Sequence, residues 1–398
     1  MNKHLHLLTL LAALAAFLCT ACQKPQWVTT WATALQVAEP HNRPPEPGLA
    51  GNSLRQIVQV SVGGTELRLH LSNLFNPDAT EILGVEIAKA QTMGASPDIV
   101  EGTSVELTFG GQRSISLEPG EEAVSDPAAF PLADRENVAI TIHYGSISAE
   151  TLTSHPGSRT SSYIALGNTS GFSSPAAVTA HWYTISSIDV RPLRESAAVS
   201  VLGDSITDGR GTTTDGQDRW TDQLSRSLLA AGKNLSVLNF GLGGNCVLRG
   251  GLGPTGQSRY ARDLFGHEGV KYIILFEGTN DLGGSRDGLE TAAEIQEVWE
   301  QIVTEAHEKG IKVFGATVTP VKGSFYYSED HEAGRQQLNA WIRTGGVFDG
   351  VIDFDRMVAS ADDPDRLDPA YLFENDWLHL NADGYKAMGG GIDVGLFR

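Results

Sequence analysis

Ser205 stands where an apolar strand runs into a glycine turn, Gly203-Asp204-Ser205-Ile206-Thr207-Asp208-Gly209, and far along the chain Asp376-Trp377-Leu378-His379 offers a carboxylate and an imidazole. A serine hydroxyl attacks an acyl carbon only if a neighbouring imidazole takes its proton. The imidazole in turn needs a carboxylate to fix its tautomer and stabilise its charged form. An Asp and a His three residues apart can supply both from one turn of backbone. Between these segments lie Asn239-Phe240-Gly241-Leu242-Gly243-Gly244-Asn245 and Gly278-Thr279-Asn280-Asp281, each following an apolar stretch. Gly244 leaves its N–H open to close approach by an acyl oxygen, and Asn280 carries an amide donor on strand-end backbone. The pattern implies acyl transfer at a serine: Ser205 as nucleophile, His379 as base, Asp376 as its orienting partner. The backbone amide of Ser205, Gly244 and Asn280 would form the oxyanion hole.

Each of these residues also has a purely structural role open to it. Ser205 could cap a helix, Asn280 could close an Asx-turn and Asp376 could serve a loop turn. What argues for chemistry is the set in one order, every member just past an apolar stretch. Competing motifs are absent. No Gly-x-Ser-x-Gly elbow occurs, and Gly241-Leu242-Gly243-Gly244 lacks the spacing of a dinucleotide loop. The acidic stretch Asp362, Asp363, Asp365, Asp368 lacks the glycine and terminal glutamate of a calcium loop, and there is no His-Glu-x-x-His. Neither cofactor nor metal is implied.

The elements that must position these groups fall into two halves. From Trp27 to Val190 the apolar pattern has period two. Val58, Val60, Val62 and Leu67, Leu69, Leu71 flank Gly63-Gly64, which predicts a hairpin. Val105 to Phe109 and Ser114 to Leu117 around Gly110-Gly111 predict another, and Val138, Ile140, Ile142 a further strand. Short strands separated by Gly, Pro and Ser argue for an all-β sandwich or jelly roll over residues 27–190. Trp27, Trp31 and Trp182 could stack on sugars, but core packing is the commoner fate of aromatics in a sandwich. After Arg191-Pro192 the pattern changes, and residues 196–398 alternate apolar strands with helical faces. Strands are expected at 197–202, 237–240, 272–276, 313–318 and 351–354. Helices are expected through Trp220, Leu224 and Leu228, through Ile295, Trp299, Ile302 and Ala306, and through Leu338, Trp341 and Ile342. Such alternation predicts an α/β domain with a doubly wound parallel sheet, whose ligands bind beyond the carboxyl ends of the strands. Asn381-Ala382-Asp383-Gly384 should start a last helix and pin the loop that carries His379.

The four segments, in this order and spacing, resemble the SGNH (GDSL-type) hydrolase superfamily, whose signature residues map to Ser205, Gly244, Asn280 and His379. The fuller run GDSITDG, DRWTD, GLGGN and FEGTNDLG is similar to its arylesterase/acylhydrolase branch, associated with polysaccharide degradation. The resemblance covers roughly the last half of the chain. It implies a flavodoxin-like sheet and hydrolysis of carboxylic esters through an acyl-serine, with activity falling as acid protonates the base. Some relatives orient their histidine with a backbone carbonyl, which leaves Asp376 the less fixed of the triad. The segment Val247 to Gly266 reads as a long polar turn with Arg249, Arg259, Tyr260, Arg262 and Asp263, suited to a hydroxylated substrate. O-acetyl groups on polysaccharide or oligosaccharide are therefore expected. The alternatives are a lipase or arylesterase, or a non-catalytic glycan-binding surface lipoprotein.

Composition bounds the partners. The chain has 398 residues, 41% of them hydrophobic, enough for two cores, and a formal net charge of −19 that would repel a nucleic-acid backbone. Residues 1–21 carry Lys3 as the only Lys or Arg, then the apolar run Leu7 to Leu18, too short to span a bilayer and read as an export signal. Cys22 after Ala21 resembles a lipoprotein cleavage site, although Cys19 stands where leucine is usual. The expectation is export to the periplasm or cell surface, with membrane contact only through a lipid on Cys22; ordinary secretion is the other outcome. With the leader removed and Cys22 tethered, Cys246 is left alone, so no disulfide can staple the fold.

Overall fold

The computed structural model describes residues 26–398, so the export signal and Cys22 lie outside the described residues. In the C-terminal half, five strands form one sheet in the spatial order Leu235–Gly241, Ala197–Gly203, Val270–Phe276, Lys312–Ala316, Gly350–Ile352. All four pairings are parallel. The second strand lies outside the first and the rest follow in sequence, which is the flavodoxin-like order. Period two splits the side chains between two faces. Ala198 and Leu202 join Tyr260, Ile295, Trp299 and Leu338, whereas Val199 and Val201 join Trp220, Leu224, Tyr385 and Met388. Helices Gly256–Phe265, Gly288–Glu308 and Glu329–Thr344 thus cover one face, and Trp220–Ala230 and Ala382–Gly391 the other. Both faces are dry, as a parallel sheet requires.

The N-terminal half is antiparallel β-structure. One sheet runs Ala177–Thr179, Ser162–Ala165, Ser53–Gln59, Asn137–Tyr144, Thr80–Lys89, and a second runs Val28–Ala32, Ile185–Val190, Gly64–Ser72. Leu54, Val58, Val85 and Ile140 of the first meet Leu67, Leu69, Leu71 and Ile188 of the second in one core. Both expected hairpins need correction. Ser53–Gln59 and Gly64–Ser72 do not pair: the first lies between Asn137–Tyr144 and Ser162–Ala165, and the second pairs with Ile185–Val190. Gly63-Gly64 is therefore a crossing between sheets. Both runs have an inward apolar row, and period two alone does not tell pairing within a sheet from facing across a sandwich. Around Gly110-Gly111 the turn is real, with Phe109 and Gln112 exchanging both backbone bonds. Its arms Val105–Leu107 and Ile115–Leu117 nevertheless lie in line along Thr80–Lys89 rather than on each other. Trp31 and Trp182 meet edge-on at 5.0 Å in this core, so they offer no face to a sugar.

The two halves share structure. Val28, Ala32 and Ala34 pack in the core that holds Leu238 and Leu242. Thr33 bridges Asn239 in parallel, Ser236 Oγ donates to Thr29 O at 2.5 Å, and Val237 N donates to Ser61 Oγ at 3.2 Å. The outer strand of the parallel sheet, an aggregation hazard if bare, is covered in this way. A second seam lies under the nucleophile turn. His155 places Nδ1 at 2.9 Å from Ala34 O and Nε2 at 3.0 Å from Asp208 Oδ1. Gly157 permits the approach, because a Cβ there would fall 1.9 Å from Asp208 Oδ2.

Trp220 is fully buried, edge-on to Phe354 at 5.1 Å and Phe276 at 6.2 Å, and donates from Nε1 to Thr207 Oγ1 at 3.3 Å. Trp220→Ala is expected to destabilise the protein by about 3–5 kcal/mol, read as a lower urea midpoint at unchanged slope.

Candidate active site

Ser205 opens a single helical turn, Ser205–Asp208, directly after the strand that ends at Gly203. Asp204 caps that turn by accepting from Ile206 N at 2.9 Å, and Gly209 closes it in the left-handed conformation with its N–H on Ser205 O. Ser205 Oγ lies 2.8 Å from His379 Nε2, and His379 Nδ1 lies 2.6 Å from Asp376 Oδ2. The other Asp376 oxygen accepts from the N–H groups of Leu378 and His379 at 2.9 and 2.8 Å. Burial raises the Asp376 carboxyl, but these bonds and the imidazole outweigh it and hold its pKa below the usual range. It stays an acceptor that fixes the imidazole tautomer. Asn381 caps the last helix by accepting from Gly384 N at 3.0 Å, and Phe373 N donates to His379 O at 3.0 Å. Both ends of the histidine loop are thereby tied down.

Gly244 has φ 66, a conformation suited to glycine. Its N–H and that of Ser205 donate to no acceptor in the described chain. Asn280 donates from Nδ2 to Asn245 O at 2.8 Å and accepts at Oδ1 from Tyr326 Oη–H at 2.8 Å. Asn245 O can only accept, so the end of the amide that meets it is the NH₂; Tyr326 holds the other end in place, and the second N–H has no acceptor among the described residues. Ser205, Gly244, Asn280, Asp376 and His379 all line one cavity of 640 Å³. All the residues read from sequence as the site therefore meet in one place.

Several supports were not foreseen. Val247 to Gly266 is no open turn: Gly256–Phe265 is a helix, and Arg259 on it is buried beneath the site. Arg259 donates to Gly203 O at 3.1 Å, Phe240 O at 2.7 Å, Asn245 Oδ1 at 3.0 Å and Asp263 Oδ2 at 2.8 Å. It knits strand ends together and reads no substrate. Asp281 accepts from Val247 N at 2.8 Å and Leu248 N at 2.9 Å, which fastens the loop after Gly244. Tyr326 was invisible because it sits in an irregular loop. The one clue was Gly283, where a Cβ would fall 2.2 Å from the Tyr326 ring. Of the acidic stretch, Asp363 pairs with Lys322 at 2.9 Å.

Behind the oxyanion side lies a buried acidic group. Glu277 is buried with neither oxygen hydrogen-bonded, and Arg259 Nη2 stands 3.8 Å away. Desolvation outweighs that cation and pushes Glu277 up to about 8, and it raises Asp204 to about 7. Glu277 is accordingly neutral at pH 7, which explains how it survives without a full ion pair.

Residues 201–387 match the GDSL-like lipase/acylhydrolase family. The C-terminal half of the chain is thus a GDSL-type (SGNH-fold) hydrolase domain, and the protein is a carboxylic ester hydrolase. Among solved structures, it is similar to the lipase/acylhydrolase from Enterococcus faecalis (20% identity, TM-score 0.40, covering 50% of this chain and 94% of that one). It is also similar to a carbohydrate acetylesterase family member from Sinorhizobium meliloti (20%, 0.39, 49% and 94%) and to the M. smegmatis aryl esterase with inhibitor bound (16%, 0.39, 49% and 95%). No curated protein matches the chain.

If Tyr326 acts by orienting Asn280, Tyr326→Phe lowers kcat about 5- to 10-fold with KM little changed, the worth of one hydrogen bond felt in the transition state. In an Asn280→Ala background the same change should do nothing further, which a double-mutant cycle measures.

Glu277 is protonated in the folded state up to about pH 8 but ionises near pH 4.3 when unfolded. Between those values the native state binds the extra proton, so this group's contribution to stability declines as pH rises. Glu277→Gln should therefore gain melting temperature over the wild type progressively from about pH 5 to 8. A difference independent of pH would show that Glu277 is ionised in the fold.

Proposed function

We propose that the protein hydrolyses O-acetyl esters on oligosaccharide or polysaccharide through an acyl-serine intermediate. The observation that carries the reading is the continuous relay from Asp376 through His379 to Ser205, at 2.6 and 2.8 Å, opening into a cavity that polar side chains of both halves of the chain help to line. In the first half-reaction His379 takes the Ser205 proton as Oγ bonds to the acyl carbon. The oxyanion faces the N–H groups of Ser205 and Gly244 and the Asn280 amide. His379 then gives the proton to the departing sugar hydroxyl. In the second half a water replaces the alcohol, His379 takes one of its protons as its oxygen bonds to the acyl carbon, and the acyl–Oγ bond breaks as His379 returns the proton to Oγ, releasing acetate and restoring Ser205. An enzyme carrying the export signal read at residues 1–21, anchored through Cys22, would meet such polymers outside the cytoplasm.

The substrate reading is supported by Glu39, Asn42, Arg159 and His181, which line the cavity of Ser205 and are side chains that hydrogen-bond hydroxyls rather than pack on an acyl chain. Acetate release from acetylated xylan and other acetylated glycans should exceed release of acids longer than about eight carbons, the length that would need an apolar trough. Ser205→Ala should lower kcat by roughly 10⁴-fold or more. A preference for the long-chain esters would replace the glycan reading with a lipase.

A further inference from the structure

We infer that the antiparallel N-terminal domain builds the subsite for the alcohol half of the ester, and that this subsite takes a hydroxyl-rich ligand, a sugar unit of a short saccharide. The inference rests on the ester reading above, since only an ester has an alcohol half to be held in the part of the cavity that the N-terminal residues line.

The geometry points there for four reasons. First, the cavity lined by Ser205 and His379 is also lined by Glu39, Asn42, Arg159 and His181, all upstream of the parallel-sheet domain. Second, Arg159 is held at φ 49, a left-handed backbone unusual for a non-glycine residue, and such strain persists where something is gained from the direction it gives a side chain. Its Nη2 reaches Asp208 only at 3.5 Å, while His155 already serves that carboxylate at 3.0 Å. The side chain is partly exposed, and a planar guanidinium whose Nη groups are only weakly engaged fits a pair of neighbouring hydroxyl oxygens.

Third, donor and acceptor roles are fixed before any ligand arrives. Burial lowers the pKa of His181, which keeps its ring neutral. Nδ1 donates to Pro156 O at 2.5 Å, so Nε2 is an acceptor. Glu39 is steadied by Gln36 Nε2 at 2.5 Å on one oxygen and Asn42 Nδ2 at 2.9 Å on the other, and its remaining lone pairs are free. Acceptors beside guanidinium donors suit hydroxyls, which both give and take hydrogen bonds. Fourth, Phe325, which lines the same cavity, is 78% exposed and tilted against Tyr326 at 4.3 Å between centroids. An exposed ring in a cavity with polar arms provides an apolar platform on which the C–H face of a sugar rests.

The test separates the subsite from the ester reading. Deacetylated xylo-, manno- and gluco-oligosaccharides are added to wild type hydrolysing a small aryl acetate, and acetate release from the acetylated forms is measured in parallel. Competitive inhibition is expected from at least one series. Its inhibition constant should rise about tenfold or more in Phe325→Ala and in His181→Ala, the worth of about 1.4 kcal/mol of lost contact. The ratio of sugar-ester to aryl-ester kcat/KM should fall with it. Phe325 is exposed, so that variant is folded whatever becomes of His181→Ala, and thermal melts confirm both. Absence of inhibition by every series, or equal inhibition in wild type and Phe325→Ala, overturns the subsite. Inhibition without acetate release from any glycan leaves the subsite standing and overturns the sugar-ester reading instead.

Discussion

The buried guanidinium of Arg259 is the contact on which the site's geometry rests. The carbonyls at Gly203 and Phe240 stand at strand ends just before the nucleophile turn and the oxyanion loop. Arg259 satisfies both and also holds Asn245, whose own carbonyl accepts from Asn280. One cation thus sets the spacing between three segments that are far apart in sequence. Asp263, at 2.8 Å, balances its charge, which a cation removed from water requires. Lysine could not replace it, having one point of charge where five directed donors are in use.

The acids around this cation explain why the surroundings tolerate so much buried charge. Asp204 and Glu277 are raised by desolvation, whereas Asp376 is lowered by the imidazole and two backbone amides. Three carboxyl groups near one reaction centre are therefore pushed in different directions. The one that must stabilise an imidazolium is held ionised, while burial favours the neutral forms of Asp204 and Glu277 and so weakens their opposition to the negative charge that develops on the acyl oxygen.

How much of this was legible in the sequence follows from what each feature depends on. Ser205, Gly244, Asn280, Asp376 and His379 could be read because a strand followed by a tight turn leaves a local signature, and the parallel sheet because strands and helices differ in period. The crossing at Gly63-Gly64 could not, since strands on facing sheets of a sandwich alternate just as paired strands do. Arg259 and Tyr326 were hidden for another reason. Nothing in the neighbourhood of an arginine says whether its helix faces water or the back of a site, and the helix itself was masked by the glycines of Val247 to Gly266. The polar reading of that segment was right in composition and wrong in direction.

The junction between the halves is where composition and period say least and where the structure adds most. Val28–Ala32 belongs in sequence to the antiparallel half, yet Val28 and Ala32 complete the core beside Leu238. An isolated parallel-sheet domain would expose Leu235–Gly241 as a bare edge, lose the His155 contact to Asp208, and open the far side of the reaction cavity to solvent. Each of those losses falls within a few residues of Ser205 or in direct contact with its turn. The first half of the chain is therefore part of the apparatus that shapes the site, since its half-buried polar side chains share the lining of the cavity with Ser205 and His379.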